Sequence, residues 1–197
     1  MSMFDEMKEL TKKLVTVPSM NGTSGERDIA DAIEAYLREI PYFKAHPELV
    51  ITQDLKDDPL HRRNVMALLK GGDGTERDTI MLHGHIDTVD VDDFGKYKEF
   101  AFDCDKLAEA FREAELPEDA RRDLESGDYL FGRGACDMKG GDAVFLVLAR
   151  HLAEAGIDHF CVTEVREAEL LRENGFEDDS ILMLRSTGDP AELNRLM

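Results

Sequence analysis

The chain has 197 residues, 42% hydrophobic and 34% charged, enough for one domain with a real core and a small appendage. Its 43 acidic side chains outnumber 24 basic ones, and the net charge of −19 repels nucleic acid and anionic membrane surfaces. The stretch Met1–Glu6 lacks a leader's basic and apolar regions, Ala143–Ala149 is too short to span a bilayer, and Cys104, Cys136 and Cys161 show no metal-ligand pairing, so a cytoplasmic protein is expected.

Residues 2–16 read as an amphipathic helix, with Phe4, Met7, Leu10, Leu14 and Val15 at helical spacing for burial. Val17-Pro18-Ser19-Met20-Asn21-Gly22 breaks it. Thr23-Ser24-Gly25-Glu26 is a capping-box pattern opening a second helix, whose buried stripe is Ile29, Ile33, Tyr36, Leu37 and Ile40, with Pro41 after its end. Leu49–Thr52 and Asn64–Leu69 are short strands. Gly71-Gly72-Asp73-Gly74 is a turn, since no Gly-Lys-Ser/Thr follows to make a phosphate loop. It leads into Asp78–Val89, an apolar run of the kind that forms a buried strand, ending in two histidines and a carboxylate. In open α/β sheets ligands bind at the carboxyl ends of strands.

Asp90–Gly95 is faintly similar to the start of a calcium loop, but Phe94 stands at a required oxygen-ligand position and Ala101 at the twelfth. Residues 105–126 read as two helices, the second beginning Leu116-Pro117, inside a helical excursion over residues 90–128. Tyr129–Phe131 starts another strand. A glycine-rich turn, Gly132–Gly141, follows, and then a helix from Ala143 to near Gly156 that is apolar nearly all round. Strand, turn and buried helix make a βα unit. The expected fold is therefore α/β, with a partial doubly wound, mostly parallel sheet and helices on both faces. Past Ile157 the elements shorten: a strand at Phe160–Thr163, a helix over 164–173, a strand at Ile181–Leu184 and a turn at Pro190. The chain is thus expected to divide into residues 1–156 and a divergent tail, 157–197.

His85 and Asp87 lie two residues apart, so in extended backbone both side chains point the same way. Imidazole and carboxylate are suitable zinc ligands, and a second carboxylate can orient the ligating ring through its other nitrogen. A lone His-x-Asp is also common by chance, so spacing alone leaves an ordinary structural histidine open.

Gly84-His85-Ile86-Asp87-Thr88-Val89, followed by Gly132-Arg133-Gly134-Ala135-Cys136-Asp137-Met138-Lys139-Gly140-Gly141, resembles the paired signature of one family. It is the zinc-dependent family of acetylornithine deacetylase, succinyl-diaminopimelate desuccinylase and glutamate carboxypeptidase. Asn21-Gly22-Thr23-Ser24-Gly25-Glu26-Arg27 and Arg63-Asn64-Val65 resemble more narrowly its arginine-utilisation protein RocB branch, and the likeness covers residues 4–156. It implies that His85 ligates one zinc ion, that Asp137 bridges two, and that Asp87 is the catalytic-site carboxylate raising the basicity of His85. It also implies a cis peptide at Asp137-Met138. The implied reaction is metal-dependent hydrolysis of amide bonds in N-acyl amino acids or small peptides. No role is carried to His83, read as a partly buried histidine; Arg133 and Lys139 are read as stabilising the turn or the acidic neighbourhood, and Cys136 as a buried, inert thiol.

The family also carries a Glu-Glu pair one βα unit after the bridging aspartate, a further carboxylate ligand, a dimerisation domain and a late histidine. No Glu-Glu pair follows Asp137 here. Glu164 stands after the next strand with Glu167 close by, in a context unlike the family's, and His151 and His159 come too early for the distal ligand. The chain is therefore expected to be the first half of a catalytic domain. His85 and Asp137 alone would leave zinc undercoordinated, binding weakly or recruiting ligands from another chain. An uncovered sheet edge predicts a homo-oligomer, or covering by the tail. The alternative is a non-catalytic remnant that serves as a binding or assembly module.

Overall fold

The computed structural model describes residues 2–70 and 81–155, together with the backbone of 159–162 and 180–183. The chain divides into two compact units, Met1–Leu68 with His83–Arg150, and Leu69–Leu82 with His151–Met197.

In the first unit, α1 (Met3–Val15) begins on a reciprocal cap: the Ser2 hydroxyl accepts the Asp5 N–H at 3.1 Å and the Asp5 carboxylate accepts the Ser2 N–H at 3.0 Å. Leu10, Leu14 and Val15 are buried as their spacing predicts, but Phe4 is 71% exposed. The first turn of α1 projects past the core that its last two turns cover. In α2 (Gly25–Glu39) the expected capping box does not form. Its residues close the preceding turn instead, where the Thr23 hydroxyl donates to Met20 O at 2.6 Å and the Glu26 carboxylate accepts the Gly22 N–H at 2.7 Å. Ile29, Ile33, Leu37 and Ile40 are buried, and Tyr36 is half-buried. Pro41, with φ preset for a first helical position, opens the short α3 (Pro41–Ala45) and sends Phe43 into the core.

β1 (Val50–Asp54) pairs antiparallel with β2 (Arg63–Ala67), Val50 opposite Ala67 and Asp54 opposite Arg63, and both pack on α2. Arg63 reaches the Asp31 and Glu34 carboxylates of that helix. On the other face Ile51 and Met66, directly opposite one another, are 51% and 45% exposed. The expected excursion contains 3-10 turns over Asp92–Phe100, kinked at Gly95, then α4 (Cys104–Arg112) and α5 (Glu118–Ser126). α6 (Lys139–Ala155) starts four residues before Ala143, because Gly134 O and Met138 O accept the N–H groups of Lys139 and Asp142.

The α/β class holds, but the described strands form no doubly wound sheet. They lie in two two-stranded sheets, β1–β2 and, in the second unit, the parallel pair β3 (His159–Val162) and β4 (Ser180–Met183). Residues 78–80 of the expected central strand lie outside the described residues. Met81–Asp87 is irregular, and the only isolated bridge among the described residues is Met20–Thr88. Tyr129–Phe131 is irregular too. An extended segment becomes a strand only beside a partner, and among the described residues neither segment has one. The turn at 71–74, the helix at 164–173 and the turn at Pro190 fall outside the described residues. No described helix is long and apolar enough to cross a membrane.

Candidate functional site

Three loops meet at the site, and each is tied down by buried polar contacts. Ser19, fully buried, donates its hydroxyl to Ile86 O at 2.8 Å. The Thr88 N–H donates to Ser19 O and the Asn21 N–H to Thr88 O, both at 2.8 Å, so residues 19–21 run beside 86–88. From the glycine-rich turn, Lys139 is fully buried and donates Nζ–H to Val17 O at 2.6 Å. Arg133 donates its backbone N–H to Ala101 O at 2.7 Å, and its guanidinium pairs with Asp93 and lies 4.9 Å from the centre of the Phe94 ring. Both cations stabilise the turn, as the sequence suggests.

Glycine is required where these loops touch. Gly134 has φ +83°, and a Cβ there would come 2.7 Å from Thr88 Cγ2. A Cβ on Gly84 would come 2.4 Å from Asp142 Oδ1 and 2.9 Å from Met138 Cε. The loop that carries His85 and the start of α6 therefore approach at bare-backbone distance.

The structure brings His85, Asp87 and Asp137 together. His85 Nε2 lies 2.8 Å from Asp137 Oδ1, and His85 Nδ1 lies 3.3 Å from Asp87 Oδ1 and 3.2 Å from Asp87 O. The Asn21 side-chain amide donates to Asp87 Oδ2 at 3.2 Å. The His85 ring is 48% exposed and the Asp137 carboxylate 85% exposed, so solvent reaches both. They line a cavity of about 210 Å³ with Asp87, Thr88, Arg133 and Cys136. The hydrogen bond with Asp137 is the main cause holding the His85 pKa above its ordinary value, with the Asp87 carbonyl adding to it and partial burial opposing. The Asp137-Met138 peptide is cis.

An imidazole nitrogen and a carboxylate that converge, with a second carboxylate on the ring's other nitrogen, suit a zinc ion in kind. In number they fall short: among the described residues no group of three or more His, Cys, Asp or Glu side chains could hold a metal ion.

Two neighbours, Asp142 and Asn21, escape a reading of the sequence, and the burial of Lys139 goes beyond it. Asp142 is buried, its Oδ2 has no hydrogen-bond partner among the described residues, and burial pushes its pKa up to about 6 against the pull of His85 and Lys139. Burial likewise lowers Lys139 to about 8. The only signal in the sequence is an acid in the first turn of an otherwise apolar helix. Asn21 stood in a motif without an assigned role. Two expectations are corrected: His83 is exposed, not partly buried, and Cys136 is exposed because the turn carries it to the cavity. The buried thiol is Cys104, pushed up to about 11 by burial. Glu164, Glu167 and the side chain of His159 lie outside the described residues.

Comparison with known proteins gives likenesses of two kinds, to individual relatives and to one family model. The chain is 43% identical over 150 residues to Protein RocB of Bacillus subtilis, covering 76% of this chain and 26% of that protein. It is 26% identical over 162 residues to the N-formyl-4-amino-5-aminomethyl-2-methylpyrimidine deformylase of the same organism, covering 78% and 30%. It is 25% identical over 198 residues to the succinyl-diaminopimelate desuccinylase of Novosphingobium aromaticivorans, covering 95% and 44%. The chain thus spans about a quarter of the length of RocB. Separately, the family model described as alanine racemase, N-terminal domain, matches residues 138–197, which include α6, β3 and β4. No solved structure matches the chain.

Proposed function

The chain belongs to the family of acetylornithine deacetylase, succinyl-diaminopimelate desuccinylase and glutamate carboxypeptidase, near its RocB branch, and on that premise we propose that it is the N-terminal part of a metal-dependent hydrolase of amide bonds. The names of two relatives, a deformylase and a desuccinylase, describe removal of an acyl group, so the substrate class proposed is an N-acyl amino acid or a small acylated amine or peptide. The observation that carries the reading is the pair of contacts on one ring: Asp137 at Nε2 and Asp87 at Nδ1.

In this reading His85 and Asp137 hold zinc, of which the resemblance implies two ions. When bound, the metal supplies Lewis-acid polarisation of the amide carbonyl and a more acidic water. The chain's own residues do the rest. Asp87 fixes the ring's tautomer and plane through Nδ1, Arg133 and Gly134 shape the wall of the cavity, and the exposed Asp137 stays free to turn from His85 toward a cation. Residues 1–156 form this part, and the remaining ligands and general base come from chain beyond it or from a second polypeptide.

Metal analysis of the purified chain, run beside Asp137→Ala, tests this. Bound zinc in the wild type and its loss in the variant are expected; equal metal content in both removes Asp137 from the centre. Hydrolysis of formyl and succinyl amino acids by the chain separates an active enzyme from a remnant that binds metal without turnover. A second reading concerns residues 138–197 alone, whose match to the alanine racemase N-terminal domain, with helix α6 followed by parallel strands, favours a module of that kind. Interconversion of alanine enantiomers by the chain, followed by chiral chromatography, decides it.

A further inference from the structure

The motif Asn21-Gly22-Thr23-Ser24-Gly25-Glu26-Arg27 lies outside both halves of the paired signature, and no role in a reaction attaches to it. In the fold its first residue stands directly behind the candidate ligand. We propose that Asn21 is a positioning residue for the centre, acting through Asp87 on the ring of His85. The inference rests on reading His85 as a metal ligand and adds what selects that ring's orientation.

Asn21 is fastened at both ends. Its backbone N–H donates to Thr88 O at 2.8 Å and its side-chain amide donates to Asp87 Oδ2 at 3.2 Å. Asp87 has two oxygens, and Asn21 takes the one that does not face His85. The other, Oδ1, is left 3.3 Å from His85 Nδ1. One amide therefore selects the rotamer of the carboxylate, and the carboxylate, beside the Asp87 carbonyl 3.2 Å from the same Nδ1, holds the plane of the ring with Nε2 on the Asp137 side. Without that hold the Asp87 carboxylate, which solvent partly reaches, is free to rotate away from the ring.

The loop that carries Asn21 is rigidly placed. Met20 O accepts the Thr23 hydroxyl, Gly22 at φ +80° gives its N–H to the Glu26 carboxylate, and Ser19 and Val17 are bonded to Ile86 and Lys139. Glu26 and Thr23 of the motif thus build the turn, and Asn21 does the reaching. The chemistry also specifies the residue. An acceptor that must be met by a short, uncharged donor calls for asparagine, whereas aspartate would set two carboxylates against each other.

The test measures the Zn²⁺ affinity of the full chain by competition with a chromophoric chelator, and the ¹⁵N shifts of the His85 ring in zinc-free protein. Asn21→Ala, Asn21→Asp and Asp87→Ala are compared with the double variant Asn21→Ala/Asp87→Ala, with urea midpoints in EDTA as a control on folding. Asn21→Ala should weaken zinc binding about tenfold, the usual scale for a partner that orients a ligand, at an unchanged midpoint. Asn21→Asp should weaken it further. In the Asp87→Ala background the Asn21 effect should vanish, and in zinc-free Asn21→Ala the ¹⁵N shifts of the His85 ring should move from their wild-type values. Wild-type zinc affinity and an unmoved ring in Asn21→Ala overturn the proposal, as does a loss that persists without Asp87. Should the wild type bind no zinc while the ring still answers to Asn21, the positioning role stands and the metal reading fails. A ring that does not answer, in a chain that binds no zinc, ends both.

Discussion

Replacing Asp142 by asparagine removes one ionisation from the interior beside the site while keeping the shape of the side chain. Asp142 is 6% exposed, one of its oxygens has no hydrogen-bond partner among the described residues, and its pKa rises from 3.8 to about 6, chiefly through burial. A raised acid prefers to be neutral in the folded protein. As pH climbs, the unfolded chain ionises first, so stability drains away between about pH 4 and pH 6 and the whole penalty persists above. The gap from 3.8 to about 6 corresponds to about 3 kcal/mol. Asparagine carries no such penalty. Its buried amide costs about 1–3 kcal/mol for want of partners, but by the same amount at every pH. Relative to the wild type, Asp142→Asn should therefore gain about 3 kcal/mol on going from near pH 4 to neutral pH. Urea unfolding followed by circular dichroism, in EDTA and across that range, measures the difference. Parallel stability curves for the two proteins would refute the reasoning.

A Cβ on Gly25 would come 1.7 Å from Pro18 O, a backbone atom with no freedom to yield, so Gly25→Ala should cost about 2 kcal/mol or more in thermal unfolding, and a wild-type melting curve would contradict that packing. Asp137→Asn removes the main cause of the raised His85 pKa, so the ring should titrate lower by NMR, and an unchanged titration would dissolve the pair. Because protonation of His85 favours the fold below the ring's ordinary value and that help fades as pH rises through the folded one, the same variant should lose a little stability in mild acid only. The exposed pair Ile51 and Met66 predicts self-association through that sheet face; Ile51→Glu with Met66→Lys should shift sedimentation toward monomer, and identical profiles would place the contact elsewhere.

Short-range features were legible from spacing. The stripe Ile29, Ile33, Leu37 and Ile40 is buried, and α4 and α5 fall where two helices were expected, because helical periodicity repeats within three or four residues. The two signature segments marked His85, Asp87 and Asp137 without any distance between them. Where a local pattern competed with a tertiary contact, it yielded. Thr23 and Glu26 abandoned a capping box to close the Asn21 turn, Phe4 was left outside, and Tyr129–Phe131 found no partner strand among the described residues.

By itself, then, the order of residues determined the helices, the glycines at the close approaches and the identity of the charged groups at the loop tips. Only the tertiary structure decided that His85 meets Asp137 across 52 residues of chain, that Asn21 meets Asp87 across 66, and that Asp142 is shut in with an unpaired oxygen. The reason is one of range: periodicity and capping act within a turn or two, whereas which side chain a buried acid or amide faces depends on how distant loops pack.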